Sequence, residues 1–190
     1  VLEPVRGDLE PQLPDGAERQ QRAAQRPAAH KPYRRATNRS CYHPFVALPA
    51  EAALSNVLIT VGPLRFVARF EEQAAPLTCA AFRKVLPFEN RIIQARWSGE
   101  AAWVPMGQFD LGVPSENATS HPSRGDLLFY PAAASETEIL FPYGSACFAS
   151  KVGQLAGNHF LTVVQGHELL GELGRRVLWE GAQPIRIEAA

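Results

Sequence analysis

Cysteine is scarce in this chain. Cys41, Cys79 and Cys147 are the three present, and they are widely scattered. Such spacing builds no disulfide framework, and without a CxxC pair it outlines no zinc site. The thiols are expected to be buried and inert, in a reducing cytoplasm. No apolar run reaches about 18 residues, so no membrane-spanning helix is expected. Residues 1–11 carry Glu3, Asp8 and Glu10 and no apolar core, unlike a secretory signal. Net charge is also lacking: 19 basic side chains face 19 acidic ones. That balance speaks against a surface built to hold nucleic acid, which needs a basic face. No GxGxxG, P-loop or GxSxG sequence occurs, so neither a phosphate cradle nor a nucleophile elbow is indicated. His167 and Glu168 begin an HExxH pattern, but Gly171 stands where the second histidine would be. A zinc site needs three protein ligands, so no metal and no cofactor are expected.

What is present divides the chain in two. Residues 1–54 are rich in Pro, Arg, Gln, Ala and Glu, and between positions 11 and 39 the large apolar side chains are Leu13 and Tyr33. Such a segment cannot bury enough surface to offset a backbone entropy of ~1–2 kcal/mol per residue. The expectation is a disordered or poorly structured extension over 1–54 and one domain over 55–190. Within the extension, 16–25 could form a short polar helix. The basic stretch 30–39 (HKPYRRATNR) reads as a solvated linker, and 41–48 (CYHPFVAL) could clip onto the domain.

From Asn56 apolar residues become dense and turn residues regular. Residues 56–61 (NVLITV) and 64–70 (LRFVARF) read as strands joined by Gly62 and Pro63. In the second, Leu64, Phe66, Ala68 and Phe70 alternate with Arg65, Val67 and Arg69, the pattern of a half-buried strand. Between Pro76 and Pro87, Leu77, Ala81, Phe82 and Val85 fall at helical spacing and predict one amphipathic helix. Residues 91–98 and 101–105 suggest a hairpin about Gly99 and Glu100. A long loop over 107–123 follows, of the kind that often carries function. Further strands are expected at 127–130, 138–142, 148–152, 158–164, 168–173 and 185–188, with a helical turn at 175–179. Eight or nine short strands with one or two helices predict a mostly β, closed antiparallel barrel.

The order of these pieces resembles a known superfamily. Leu86 and Pro87 after the helix, 96–99 (RWSG), 125–131 (GDLLFYP), Tyr143 and Gly144, and 153–160 (GQLAGNHF) carry the likeness. Over roughly 56–188 the chain resembles the cyclophilin-like superfamily, and within it a bacterial family of uncharacterised, non-isomerase members. The resemblance implies an eight-stranded barrel capped by helices. Isomerases of this fold carry an FHR-type strand and a Gln-Phe-Phe pocket strand. Here 93–97 (IQARW) and 158–160 (NHF) stand in those places and match neither, so prolyl isomerase activity is not expected. The barrel is also similar in fold to cucumopine and mikimopine synthases, which close a ring between histidine and a keto acid. Fold does not determine reaction, but it implies that such a barrel can hold a small polar metabolite.

Acid–base chemistry needs a proton acceptor, a donor and a group that holds the substrate's charge. Glu116 and His121 on the long loop are candidates for the first two. Lys151 is a candidate for binding a carboxylate or forming an imine, and His159 for moving a proton near neutral pH. Arg96, Tyr143 and Asn158 are candidate substrate contacts, and Trp97 and Trp103 could form a stacking wall. Each has a plainer reading: solvated loop residues, an exposed lysine, core aromatics, a turn asparagine. The expected function is a small-molecule enzyme of the lyase, synthase or hydrolase kind, acting on a C–N bond or a ring in a carboxylate-bearing substrate. The alternative is a non-catalytic ligand- or protein-binding module, or a residual isomerase. A small-molecule ligand is the expected partner, with homo-oligomers left open and neither nucleic acid nor membrane expected.

Overall fold

The computed structural model describes residues 56–190. The extension expected over 1–54, its short helix, its basic stretch, the 41–48 clip and Cys41 lie outside the described residues. The first hairpin forms where the sequence predicts it: β1 (Asn56–Val61) pairs with β2 (Leu64–Phe70). Gly62, at φ 53, takes the positive-φ position that a two-residue hairpin turn demands. Then come α1 (Pro76–Arg83), β3 (Phe88–Gln94), β4 (Gly99–Gly107), the short β5 (Ala118–Thr119), β6 (Asp126–Tyr130) and β7 (Thr137–Ala146). Two-residue strands β8 (Ala149–Ser150) and β9 (Gly153–Gln154) precede β10 (Gly157–Gln165). A 3-10 turn (His167–Leu169), α2 (Leu170–Trp179) and β11 (Gln183–Ala189) complete the chain.

Eight strands close an antiparallel barrel in the order β1-β11-β3-β4-β7-β6-β10-β2, with β2 paired back to β1. This is the mostly β, cyclophilin-like barrel with two helices. Closure leaves the barrel no free edge. Strand alternation sends Phe66, Phe129, Phe141 and Phe160 inward, all 0% exposed. They pack edge to face, Phe66 on Phe141 at 5.6 Å and Phe129 on Phe160 at 6.4 Å between ring centres. The barrel is filled by its own side chains. A ligand would meet the ends or the outer wall.

The helices close opposite ends. Phe82 of α1 packs on Phe88 and Phe160, beside the start of β3. α2 follows the far end of β10, and its Gly174 lies under the ring of Tyr143, on the late part of β7. The face of α1 differs from the expected one: Leu77 is 54% exposed, and Thr78, Cys79 and Phe82 are buried. Thr78 tolerates burial because its hydroxyl is hydrogen-bonded.

Two further expectations are corrected. Residues 168–173 are not a strand; they run through the 3-10 turn into α2, which buries Leu170, Leu173, Gly174 and Val177. Gly171 and Gly174 disfavour a helix by propensity; Gly174 has a packing reason, since a Cβ there would lie 2.4 Å from the Tyr143 ring, while Gly171 has open space. The hairpin expected about Gly99 turns instead at 95–98, and Gly99 opens β4 at φ 81. A Cβ there would sit 2.8 Å from the Ser145 carbonyl, so close approach of β7 requires the glycine.

A small hairpin, β8–β9, lies on the outer wall as a flap. Phe148 and Leu155 cover Leu128, Tyr130 and Leu140 and form a second apolar cluster. Each such burial contributes about 1.5–3 kcal/mol. Backbone bonds from Cys147 to Ser98 and from Phe148 to Ser120 anchor the flap. The Ser98 hydroxyl also donates to the Ala149 carbonyl at 3.0 Å.

Candidate functional site

The long loop is pinned to the α1 end of the barrel. α1 begins after Ala75, which has no side chain to cap its free N–H groups, and no acid sits in its first turn. Glu116 supplies the missing acceptor: its carboxylate takes the Thr78 backbone N–H. Asn158, fully buried, accepts from the Glu116 N–H at 3.0 Å. It donates through Nδ2 to the Thr78 hydroxyl and the Pro114 carbonyl, each at 2.9 Å. Three of its amide's four bonding sites are therefore spent on the fold.

His159, the next residue on β10, faces outward. Its Nε2 lies 2.9 Å from the Thr162 hydroxyl and 3.5 Å from Asp126 Oδ1. Thr162 donates to Glu71 at 2.7 Å, and Glu71 also accepts from Arg69. With the Thr162 proton committed to Glu71, its lone pair is left for an Nε2–H, so the neutral ring keeps its free lone pair on Nδ1. Strand register explains the cluster: Asp126, Thr162 and Arg69 lie directly opposite one another on β6, β10 and β2. Burial pushes the Glu71 carboxyl up, but the bonds from Thr162 and Arg69 outweigh it and hold it below the usual range. Asp126 approaches the same nitrogen as Thr162, so this is not the geometry of a hydrolase triad, in which the carboxylate takes the other nitrogen.

Tyr143 is at the other end of the barrel. Its hydroxyl donates to Gln94 Oε1 at 2.6 Å, and Gln94 is itself held by the Ala95 and Gly99 carbonyls. His121, Arg96 and Lys151 are exposed, and Trp97 is 61% exposed. Glu116, His121, Tyr143, Lys151 and His159 make no hydrogen bond or ion pair with one another. Among the described residues no three His, Cys, Asp or Glu side chains group closely enough to hold a metal ion. No described helix is long and apolar enough to cross a membrane.

The outer wall carries a residue that sequence reasoning missed. Register sets Ile93, Trp103, Leu140, Leu128 and His159 in one row across five strands. In the adjoining row Glu138 of β7 lies between Pro105 of β4 and Tyr130 of β6. Trp103 is its diagonal neighbour, a separation an indole can span. Glu138 is 6% exposed, and its carboxylate, whose oxygens keep some contact with solvent, makes no hydrogen bond or ion pair among the described residues. Burial, reinforced by the Glu136 carboxylate, pushes its carboxyl up to about 7. A buried, unmatched carboxyl poised near neutrality can both take and give a proton. The sequence signal was a lone Glu in the strand TEILFP. Strand parity puts it outside with Leu140, and it reads as solvent-exposed until the neighbouring strands are in place.

The sequence profile of a family described as protein of unknown function (DUF3830) matches residues 57–189. No curated protein matches the chain. Among solved structures, McbB in complex with tryptophan is similar in fold, with a TM-score of 0.54 and 16% identity over 70% of this chain. That match covers 44% of McbB, so the chain spans less than half of that protein's length. The solution structure of the hypothetical protein AF2241 from Archaeoglobus fulgidus matches with a TM-score of 0.46 and 14% identity, over 75% of this chain and 100% of that one.

Proposed function

The chain belongs to the DUF3830 family, and for it we propose a barrel that binds a small polar metabolite on its outer wall and works on it as an acid–base enzyme. The chemistry is the making or breaking of a C–N bond, or the opening or closing of a ring, in a substrate that carries a carboxylate. One observation carries the reading: Glu138 is largely buried, has no protein partner for its carboxylate and is held near neutrality beside Trp103. A carboxylate left without a partner costs folding free energy, and a reacting proton is what such a group would serve. Glu138 moves the proton and Trp103 offers a flat wall. Arg96 and Lys151 stand on two turns that the Ser98–Ala149 bond ties together, at the other end of β4 from Pro105 and Glu138. The McbB structure, which has the same fold, holds tryptophan; that fits a barrel able to take a small metabolite.

The test is to incubate the purified full chain with a pooled metabolite extract and follow consumption and formation by mass spectrometry. Species should change with the wild type and stay unchanged with Glu138→Gln. Identical traces for wild type and buffer would remove the enzyme reading. Isomerisation of proline peptides above background would hand the barrel to the isomerase alternative instead.

A further inference from the structure

A groove of about 530 Å³ opens at the α2 end of the barrel, away from Glu138. It is lined by Glu100, Ser123, Arg124, Tyr143, Gly144 and Ser145, with Pro122 beside them. It is a shallow site open to solvent, and its lining is polar and charged where most small-molecule sites are apolar.

Three features show that the groove is held open by construction. The guanidinium of Arg124 is clamped by two backbone carbonyls from different elements, Nε to Tyr143 at 3.0 Å and one terminal nitrogen to His167 at 3.1 Å. Glu100 is fixed by the Ser145 N–H, which its Oε2 accepts at 2.8 Å. Its carboxyl rests on Gly144, where a Cβ would lie 2.3 Å from that oxygen. Tyr143 is fixed at both faces, its hydroxyl on Gln94 and its ring on Gly174. Two glycines thus stand where any larger residue would displace the groove's own side chains.

The two charges do not satisfy each other. No ion pair joins Arg124 to Glu100 among the described residues, and each keeps bonding capacity to spare. Arg124 has spent two of its five donors, leaving the second terminal nitrogen free. Glu100 has an unused oxygen. A fixed cation and a fixed anion that share one groove without pairing suit a ligand that carries both charges.

We propose that this groove is a binding site for a small zwitterion of the α-amino-acid class, its carboxylate on Arg124, its ammonium on Glu100 and its body over the Tyr143–Gly144 floor. A planar guanidinium matches a carboxylate by two parallel bonds, which orients the ligand as well as holding it. The site is independent of the Glu138 reading. It rests on different residues at the opposite end of β7.

The experiment is calorimetric titration of the full chain with each of the twenty common α-amino acids. At least one should bind. Arg124→Gln and Glu100→Gln should each weaken that ligand at least tenfold, while Arg65→Gln, which removes an exposed arginine on β2, leaves it unchanged. The polarity is tested with blocked ligands. The methyl ester should bind wild type and Arg124→Gln alike, and the N-acetyl derivative should bind wild type and Glu100→Gln alike. Circular dichroism melts of the variants keep a folding defect apart from a binding defect. Failure of all twenty amino acids to bind would overturn the proposal. So would binding undiminished in both charge variants.

Discussion

Thr78 and Asn158 stand 80 positions apart and are bonded side chain to side chain at 2.9 Å. One is on a helix and the other on a strand, and both are buried polar residues that survive burial by satisfying each other. The same asparagine holds the Glu116 N–H and the Pro114 carbonyl, so a single amide ties helix, loop and barrel together. Asn158→Ala should cost about 2–4 kcal/mol in urea unfolding, because three partners lose their bonds at once. A loss below 0.5 kcal/mol would show that water replaces the amide at no cost.

Glu138 should make stability depend on pH. Its folded-state value of about 7 stands above the ordinary 4.5. Between those values the folded chain holds a proton that the unfolded chain has released. Stability from this group is full below about pH 4.5 and is lost as pH rises through 7. Glu138→Gln should therefore be near neutral in effect at pH 4.5 and stabilising by about 2 kcal/mol at pH 8, less than the ~3 kcal/mol of an unrelaxed site. Urea midpoints across pH 4.5–8 measure this. A difference independent of pH would show that Glu138 ionises normally.

Two glycines of α2 should respond with opposite signs. Gly171 has open space around the position of a Cβ, and Gly171→Ala should stabilise by about 0.5–1 kcal/mol through helix propensity. Gly174→Ala places a methyl against the Tyr143 ring and should destabilise by about 1–3 kcal/mol. Thermal melts of the pair decide it, and like signs would refute the packing argument.

The thiols should separate by reactivity. Cys79 is 1% exposed, and burial pushes its thiol up to about 12, while Cys147 is exposed. In a Cys41→Ser background, a disulfide reagent should titrate one thiol in the native protein and the second only in denaturant. Two rapid thiols would mean that α1 opens readily.

The eight barrel strands all lie within the described residues 56–190, and a chain lacking residues 1–50 should remain folded and monodisperse. Gel filtration and a cooperative melt check this. An insoluble truncation would mean that the 41–48 stretch is needed by the core.

The barrel's strands were legible because alternation is local. Phe66 and Phe70 announce their face within one strand, and Gly62 with Pro63 marks its turn. α2 was not legible. Its glycines look like helix breakers until Tyr143 is seen lying on Gly174 from another strand. Of the candidate site residues, Glu116 and Asn158 were noticed as polar groups, but their use as a helix cap and a tether depends on partners 38 to 80 positions away. The polar groups around His159 depend on three strands in register.

By itself the sequence determined a mostly β fold, its strand faces and the resemblance to a cyclophilin-like barrel, since periodicity, turn residues and short motifs are local properties of the chain. The tertiary structure alone decided which polar groups are spent on the fold and which are left unmatched. Glu138 is a strand residue like any other until Pro105, Tyr130 and the outer wall enclose it. Whether a carboxyl is solvated, paired or stranded is set by what the rest of the chain brings to its side, and that is a property of packing.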